Sequence, residues 1–242
     1  IAPIIKKNSE IKLYIFGEGE QKDEINNLAK VLIKNKKVHI FKTGISNHLS
    51  VEHAFNTIGY NTLDIDGLET LEKGDIVVIP GVGNFKNIMN QLQERRLDQE
   101  FKKIAKNKVK ILGICLGMQI LFEHSEEGNE KGIGIFEGKV SDLNTRLSGS
   151  EFKTPNIGWR PVSFSRISSV EKYDKSSFYF VHQYEVVPKN DDIVFATINI
   201  EGREIVAGVG RDNVYGIQFH PEKSSKKGLA FLSTLMEEIE KK

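Results

Sequence analysis

Cysteine is almost absent from this sequence: Cys115 is the single one in 242 residues. No internal disulfide can form, and there is no CxxC pair or Cys/His cluster, so a stapled secreted scaffold and a structural zinc site both fall away. An excess of charge is missing too. Lys and Arg number 34 and Asp and Glu 33, so no general field draws nucleic acid or an anionic membrane, and a small polar substrate or a protein partner is expected instead. Long apolar runs are also lacking. The longest, Ile111 to Phe122, is interrupted by polar and glycine positions and falls well short of the roughly 20 residues that span a bilayer. The first residues, Ile-Ala-Pro-Ile-Ile-Lys-Lys-Asn, do not follow the basic-then-apolar plan of a secretory leader. With a reduced cysteine, this points to the cytoplasm. The length is ample for a sizeable core, and one large α/β domain fits it best.

Strand and helix patterns alternate through the first half. Ile11–Phe16, Val38–Phe41, Asp75–Ile79 and Lys110–Ile114 are apolar or β-rich runs. Between and after them, Glu20–Lys34, Val51–Ile58, Ile88–Ala105 and Leu116–Glu123 carry apolar residues at helical spacing. That order predicts a mostly parallel sheet covered by helices on both faces. From about Gly132 short strands follow one another: Gly138–Leu143, Val162–Ser165, Phe178–Val181, Ile193–Ile198 and Ile205–Val209. This half is expected to be antiparallel or mixed. Val214–Phe219 is a further buried strand, and Gly228–Glu240 an amphipathic helix. The lysine-rich stretches at 34–37 and 102–110 read as solvated helix ends.

The lone thiol is either packing or a nucleophile, and its flanks favour the second. Gly113-Ile114-Cys115-Leu116-Gly117 stands between a strand and a helix, where paired glycines permit the sharp turn that lifts a nucleophile above a sheet edge. The helix expected from Leu116 would place its amino end beside the sulfur and favour the thiolate. A base and a group to orient it are supplied by His220-Pro221-Glu222, directly after the strand 214–219. In a parallel sheet both motifs emerge at the carboxyl edge. Attack on a carboxamide creates an oxyanion, and Pro80-Gly81-Val82-Gly83-Asn84 offers glycine-exposed backbone N–H groups beside that of Leu116. The histidines at 39, 48, 53, 124 and 182 lack such a context.

The segments PGVGNF (80–85), GICLGMQILFEHSEEG (113–128), PNIGW (155–159), FVHQYEV (180–186) and GIQFHPEKS (216–224) together resemble class I glutamine amidotransferases. The likeness is greatest to glutaminase subunits of imidazole glycerol phosphate synthases, and it covers residues 38–242. It implies a flavodoxin-like three-layer fold, with Cys115 attacking the glutamine amide, His220 shuttling the proton and Glu222 holding the imidazole. It further implies an oxyanion hole at Gly83 and Leu116, and substrate contacts from Gln119, Glu126, His182 and Tyr184. No metal or organic cofactor is required. The ammonia would pass to a separate (β/α)8-barrel cyclase as a heterodimer, since too little chain follows Glu222 for a synthase domain. Val82, Asn156, Trp159 and Lys223 are expected at that interface.

Residues 1–37 have no counterpart in the family. IKLYIFGEGEQKDEINNLAKVLIKNKKVHIF resembles a strand-GxG-helix piece of a retaining glycosyltransferase and reads as a fusion remnant packed beside the amidotransferase sheet. After Phe41 the family's Asp-Tyr-Gly-x-Gly-Asn is replaced by Lys42-Thr43-Gly44-Ile45-Ser46-Asn47, with Asn156 and Gln183 where histidine and serine are common. Two further readings therefore stand beside the first. One is a paralogous glutaminase feeding a diverged barrel partner that aminates sugars for surface polysaccharides. The other is a stand-alone cysteine hydrolase of the same fold. A catalytically silent scaffold is disfavoured by intact Cys115, His220 and Glu222.

Overall fold

The computed structural model describes residues 36–43, 48–149 and 151–242. The described residues begin with β1 (Lys37–Phe41), α1 (His48–Thr57), β2 (Asn61–Ile65) and β3 (Ile76–Gly81). There follow α2 (Phe85–Glu94), α3 (Leu97–Lys106), β4 (Lys110–Cys115) and a single helical turn, α4 (Leu116–Gln119). Next come β5 (Phe122–Ser125), β6 (Glu130–Lys131), β7 (Phe136–Asp142) and the short α5 (Leu143–Arg146). The rest is β8 (Asn156–Phe164), α6 (Ser168–Glu171), β9 (Ser177–His182), β10 (Tyr184–Pro188), β11 (Val194–Ile200), β12 (Arg203–Arg211), β13 (Val214–Ile217) and the long helix α7 (Ser225–Glu240).

Nine strands make one sheet in the order β2-β1-β3-β4-β13-β12-β11-β8-β9. The first five run parallel, and β12, β11, β8 and β9 continue antiparallel. The expected architecture is therefore found, with the parallel and antiparallel halves joined edge to edge. β3 and β13 are buried at every position, as befits strands covered on both faces. Alternation divides their neighbours between two cores. Val78, Leu112 and Ile114 pack with Phe55 of α1 and Leu232 and Leu235 of α7; Val77, Ile79 and Ile111 pack with Ile88, Phe101 and Ile104 of α2 and α3. A second sheet, β10-β7-β5-β6, lies on that latter core through Phe122, Phe136, Val140 and Val186. Among the described residues no helix is long and apolar enough to cross a membrane.

Two helix expectations are corrected. Ile88–Ala105 is not one helix but α2 and α3, separated at Arg96, whose φ is +58°. The apolar positions explain the break: the step from Leu92 to Leu97, both buried, is five residues, one too many for a continuous stripe, and the turn brings both back to the core. Leu116–Glu123 is helical only as far as Gln119; Phe122–Ser125 instead becomes β5, parallel to β7 and antiparallel to β6. Besides β5 and the two-residue β6, two strands were not legible. β2, Asn-Thr-Leu-Asp-Ile, is a mostly exposed edge with little apolar alternation, and β10 follows β9 with Gln183 alone between them. The strand and helix expected at 11–16 and 20–34 lie outside the described residues, as does the proposed remnant up to residue 35 and the Gly44–Asn47 segment.

Candidate active site

The turn after β4 is built by what its glycines avoid. A Cβ on Gly113 would lie 2.4 Å from the Gly117 carbonyl oxygen, and one on Gly117 only 1.8 Å from the Ile79 carbonyl oxygen. Chain reversal this close to β3 excludes any side chain at either position. Between them Cys115 adopts φ +56°, ψ −110°, a strained backbone that non-glycine residues seldom hold outside functional sites. The sulfur is thereby raised at the carboxyl edge of β4, yet Cys115 stays 5% exposed.

Adjacent β13 is in parallel register with β4, Ile217 opposite Ile114, so the chain leaving it carries His220 to the same edge. The backbone that carries the imidazole is anchored on several sides. His220 N–H donates to Tyr179 O at 2.9 Å, and Ser224 Oγ donates to His220 O at 2.6 Å. Phe219 stacks on Phe178 at 4.5 Å and on Phe231 at 5.2 Å, each such pair contributing about 1 kcal/mol. Pro221 opens the 3-10 turn Pro221–Lys223, and this brings Glu222 Oε1 to 2.7 Å from His220 Nδ1, with both side chains 1% exposed. Burial alone would lower the His220 pKa, but the facing Cys115 sulfur and the Glu222 carboxylate override it and push it up to about 10. At neutral pH the imidazole beside the sulfur is therefore held in its charged form. The other imidazole nitrogen, Nε2, has no hydrogen-bond partner and is free for proton transfer.

A cavity of about 480 Å³ opens at this point, lined by Val82, Gly83, Cys115, Leu116, Gln119, Glu127, Pro155, Val181, His182, Gln183, Tyr184 and Lys223. It therefore gathers both expected oxyanion residues, three of the four expected substrate residues, and Val82 and Lys223 around the thiol. β3 reaches Gly81 opposite Cys115, and Gly83, at φ +113°, turns the following loop where it lines the same cavity.

Glu126 is not brought to the cavity. Its carboxylate is taken by Lys139 Nζ at 2.9 Å, Ser141 Oγ at 3.1 Å and Asp142 N–H at 2.9 Å, which hold its pKa below the ordinary carboxylate value and tie β5 to β7. The cavity carboxylate is instead its neighbour Glu127, which accepts from Asn84 Nδ2 at 2.7 Å and Phe85 N–H at 2.9 Å and so clamps the glycine loop. Both glutamates stand in one SEEG motif; the turn Glu127–Asn129, which sends them opposite ways, carries no sequence signal.

Among the residues expected at an interface, Trp159 is half exposed and Ile157 beside it 55% exposed. Asn156 is corrected: it is fully buried, donating from Nδ2 to His182 Nε2 at 2.9 Å and accepting from Arg160 Nε at 3.0 Å. A β-strand alternates faces, so Asn156 points inward where Ile157 and Trp159 flank the surface. His182 is held neutral, its pKa lowered to about 4 by burial and by the nearby His220 and Arg160 charges. One cluster with metal-ligand chemistry occurs among the described residues, His48, Glu52 and Asp64. It sits at the β2 edge of the sheet, three strands from Cys115, where Asp64 already pairs with Lys42 at 3.4 Å.

The family model described as "Glutamine amidotransferase class-I" matches residues 35–236. The imidazole glycerol phosphate synthase subunit HisH of Pyrococcus furiosus is 42% identical over 199 residues, 81% of this chain and 96% of that protein. The subunit of the same name from Lactococcus lactis is 38% identical over 84% of this chain and 100% of its own length. Among solved structures, PurLQS from Thermotoga maritima superimposes with a TM-score of 0.63 at 20% identity, covering 85% of this chain and 97% of that one. A glutamine amidotransferase from the same organism gives 0.58 at 17%, over 86% and 99%. At these identities the solved structures bear on the fold alone.

Proposed function

The chain belongs to the class-I glutamine amidotransferase family, and from that premise we propose that it is the glutaminase subunit of an imidazole glycerol phosphate synthase, serving histidine biosynthesis. The observation that carries the chemistry is the meeting of Cys115 with the His220–Glu222 pair at neighbouring carboxyl ends of β4 and β13, with Cys115 on the wall of the cavity and the pair buried behind it. Cys115 Sγ, its proton on His220, attacks the side-chain carbon of glutamine. The oxyanion that forms is met by backbone N–H groups at Gly83 and Leu116. The imidazolium then protonates the leaving nitrogen, the C–N bond breaks and ammonia departs, leaving a thioester on Cys115. His220 next takes a proton from water, which attacks the thioester; glutamate and the thiol are released. Glu222 keeps the imidazole oriented and stabilises its charged form.

The substrate's amino-acid end is held by Gln119, Tyr184 and Glu127, the last an acceptor suited to an α-ammonium, with His182 placing the Tyr184 backbone. Ammonia is mostly ammonium at neutral pH, so it must be passed on directly. Its acceptor is a separate (β/α)8-barrel cyclase, docked as a heterodimer over the mouth near Val82, Trp159 and Lys223. Residues 38–242 form the amidotransferase domain and the preceding residues an extension; the setting is cytoplasmic. The test is glutamate release from glutamine with and without the cyclase and its nucleotide ligand. Cys115→Ser is expected to lower turnover by about 10⁴-fold or more. Unchanged turnover in that variant overturns the mechanism, and full activity of the isolated chain overturns the partner assignment.

A further inference from the structure

We propose that Gln218 is a further catalytic residue of this site, whose side-chain amide donates a hydrogen bond to Cys115 Sγ and supports the thiolate. Gln218 is fully buried, and its Nε2 lies 3.4 Å from the sulfur. Its backbone is fixed by a 2.9 Å bond from Gln218 N–H to Ala207 O on β12. It stands two residues before His220, in the bend by which the chain leaves β13. The polar neighbours of the sulfur are thus the imidazole, able to take its proton, the Val181 carbonyl oxygen at 3.9 Å, able only to accept, and this amide nitrogen, able only to donate.

Which end of the amide faces the sulfur is decided by a backbone carbonyl. Tyr184 O can only accept, and it receives His182 Nδ1 at 2.8 Å and Gln119 Nε2 at 2.9 Å. The nitrogen of Gln119 is thereby identified, and it also donates to Gln218 Oε1 at 3.0 Å. The oxygen of Gln218 is consumed there, so its nitrogen is the atom turned to Cys115. Reversing Gln218 would set two amide nitrogens against each other and an oxygen against the sulfur. A donor held in this way strengthens as charge develops on sulfur, because hydrogen bonds to ionised acceptors are about twice as strong as neutral ones. The remaining charged or titratable groups around the sulfur are His220 with Glu222 behind it, His182, Tyr184, Glu127 and Lys223, and all are retained in the variants below.

This inference rests on Cys115 being the nucleophile, and its test separates the two. Because Cys115 is the sole cysteine, iodoacetamide labelling of the full chain, followed by mass, reports one thiol. Gln218→Leu removes the donor; Gln218→Glu keeps an acceptor for Gln119 and loses the donor. Both are expected to slow labelling at pH 7 about tenfold, to move the midpoint of its pH profile upward by about one unit, and to lower kcat about tenfold in the presence of the cyclase with KM within threefold. Coincident labelling profiles and unchanged kcat in folded variants overturn the proposal, even if Cys115→Ser abolishes turnover. If neither variant unfolds cooperatively, the side-chain amide of Gln218 is followed by ¹⁵N NMR in the parent and in Cys115→Ala. Its signals must shift and exchange faster with solvent in the latter; unaltered signals overturn the proposal. Turnover surviving in Cys115→Ser defeats the nucleophile assignment and leaves the labelling result to stand separately.

Discussion

Gly117→Ala adds one methyl group at the point where the nucleophile turn crosses β3. That methyl would meet the Ile79 carbonyl oxygen at 1.8 Å and the carbonyl carbon at 2.9 Å, whereas a carbon and an oxygen not bonded to each other settle near 3.3 Å. The two segments would have to part by about 1.5 Å. Neither can do so cheaply: Ile79 is fully buried and registered against Gly113 of β4, in a sheet flanked by two cores. Overpacking of this kind costs about 3 kcal/mol or more. With a urea dependence of about 2 kcal/mol per molar, the midpoint falls by about 1.5 M. Gly74→Ala is the matched control. Gly74 has φ +98°, and a Cβ added there would meet nothing within 4 Å, so only backbone strain is felt, about 1 kcal/mol or 0.5 M. Urea unfolding followed by far-ultraviolet circular dichroism gives both midpoints. Glutamate release should fall about 100-fold in folded Gly117→Ala, because a displacement of about 1 Å at Leu116 and Cys115 misplaces the attack. A midpoint for Gly117→Ala within 0.3 M of that for Gly74→Ala, roughly the experimental spread, would refute the steric account of the elbow.

The two adjacent glutamates separate by kinetics: Glu127→Gln should raise KM for glutamine about tenfold, whereas Glu126→Gln, whose partners lie on β7, should leave it within twofold. Steady-state assays at saturating cyclase decide this, and equal effects would return both to the substrate site. Glu222→Gln removes the carboxylate behind His220, whose pKa of about 10 sets where the imidazolium is lost as pH rises. The variant's alkaline limb should move below that value, with kcat down about 10³-fold; an unmoved limb would show that Glu222 does not govern the imidazole. His182 has the opposite sign. Its folded pKa of about 4 lies below the unfolded value of about 6.5, so the stability it contributes is complete above pH 6.5 and lost as pH falls towards 4. Between pH 7 and 5 that loss is about 2 kcal/mol, and in urea titrations His182→Gln should lack it; an identical pH dependence in the variant would exclude His182 as the source.

Elements with one dominant pattern were legible in the sequence. The runs Ile76–Ile79 and Lys110–Ile114 have no polar face, and only a sheet covered on both sides accommodates them; they became the central strands. β2 was not legible, because at an exposed edge the backbone pairing with β1 does the work that side-chain burial does elsewhere, and Asn61, Asp64 and their neighbours carry no apolar alternation. The break at Arg96 was visible in principle, in the five-residue step between Leu92 and Leu97, but a helix read from average spacing runs over it. Motif residues translated well into positions. Cys115, Leu116, Gly83, His182 and Tyr184 share one cavity, since each sits at a strand end or on a glycine turn where local sequence dictates geometry.

Residues that depend on side-chain direction did not translate. Asn156 and Trp159 belong to one motif and one strand, and alternation buries the first while exposing the second. The source of thiolate stabilisation shows the same difference between pattern and packing. A helix from Leu116 to Glu123 would have set two turns of aligned peptide dipoles beneath the sulfur, yet α4 stops after four residues, and a macrodipole needs aligned turns. What remains beside the sulfur is specific: an imidazole pushed towards its charged form by Cys115 and Glu222, and an amide nitrogen 3.4 Å away whose orientation descends from the Tyr184 carbonyl. The polar groups beside the sulfur are therefore individual donors carried by the chain leaving β13, one of them oriented through the Tyr184 carbonyl of β10, not the helix that the nucleophile precedes. A substitution that lengthened α4 would leave the thiolate's reactivity unmoved, whereas one that shifted β13 against β4 would remove both donors at once.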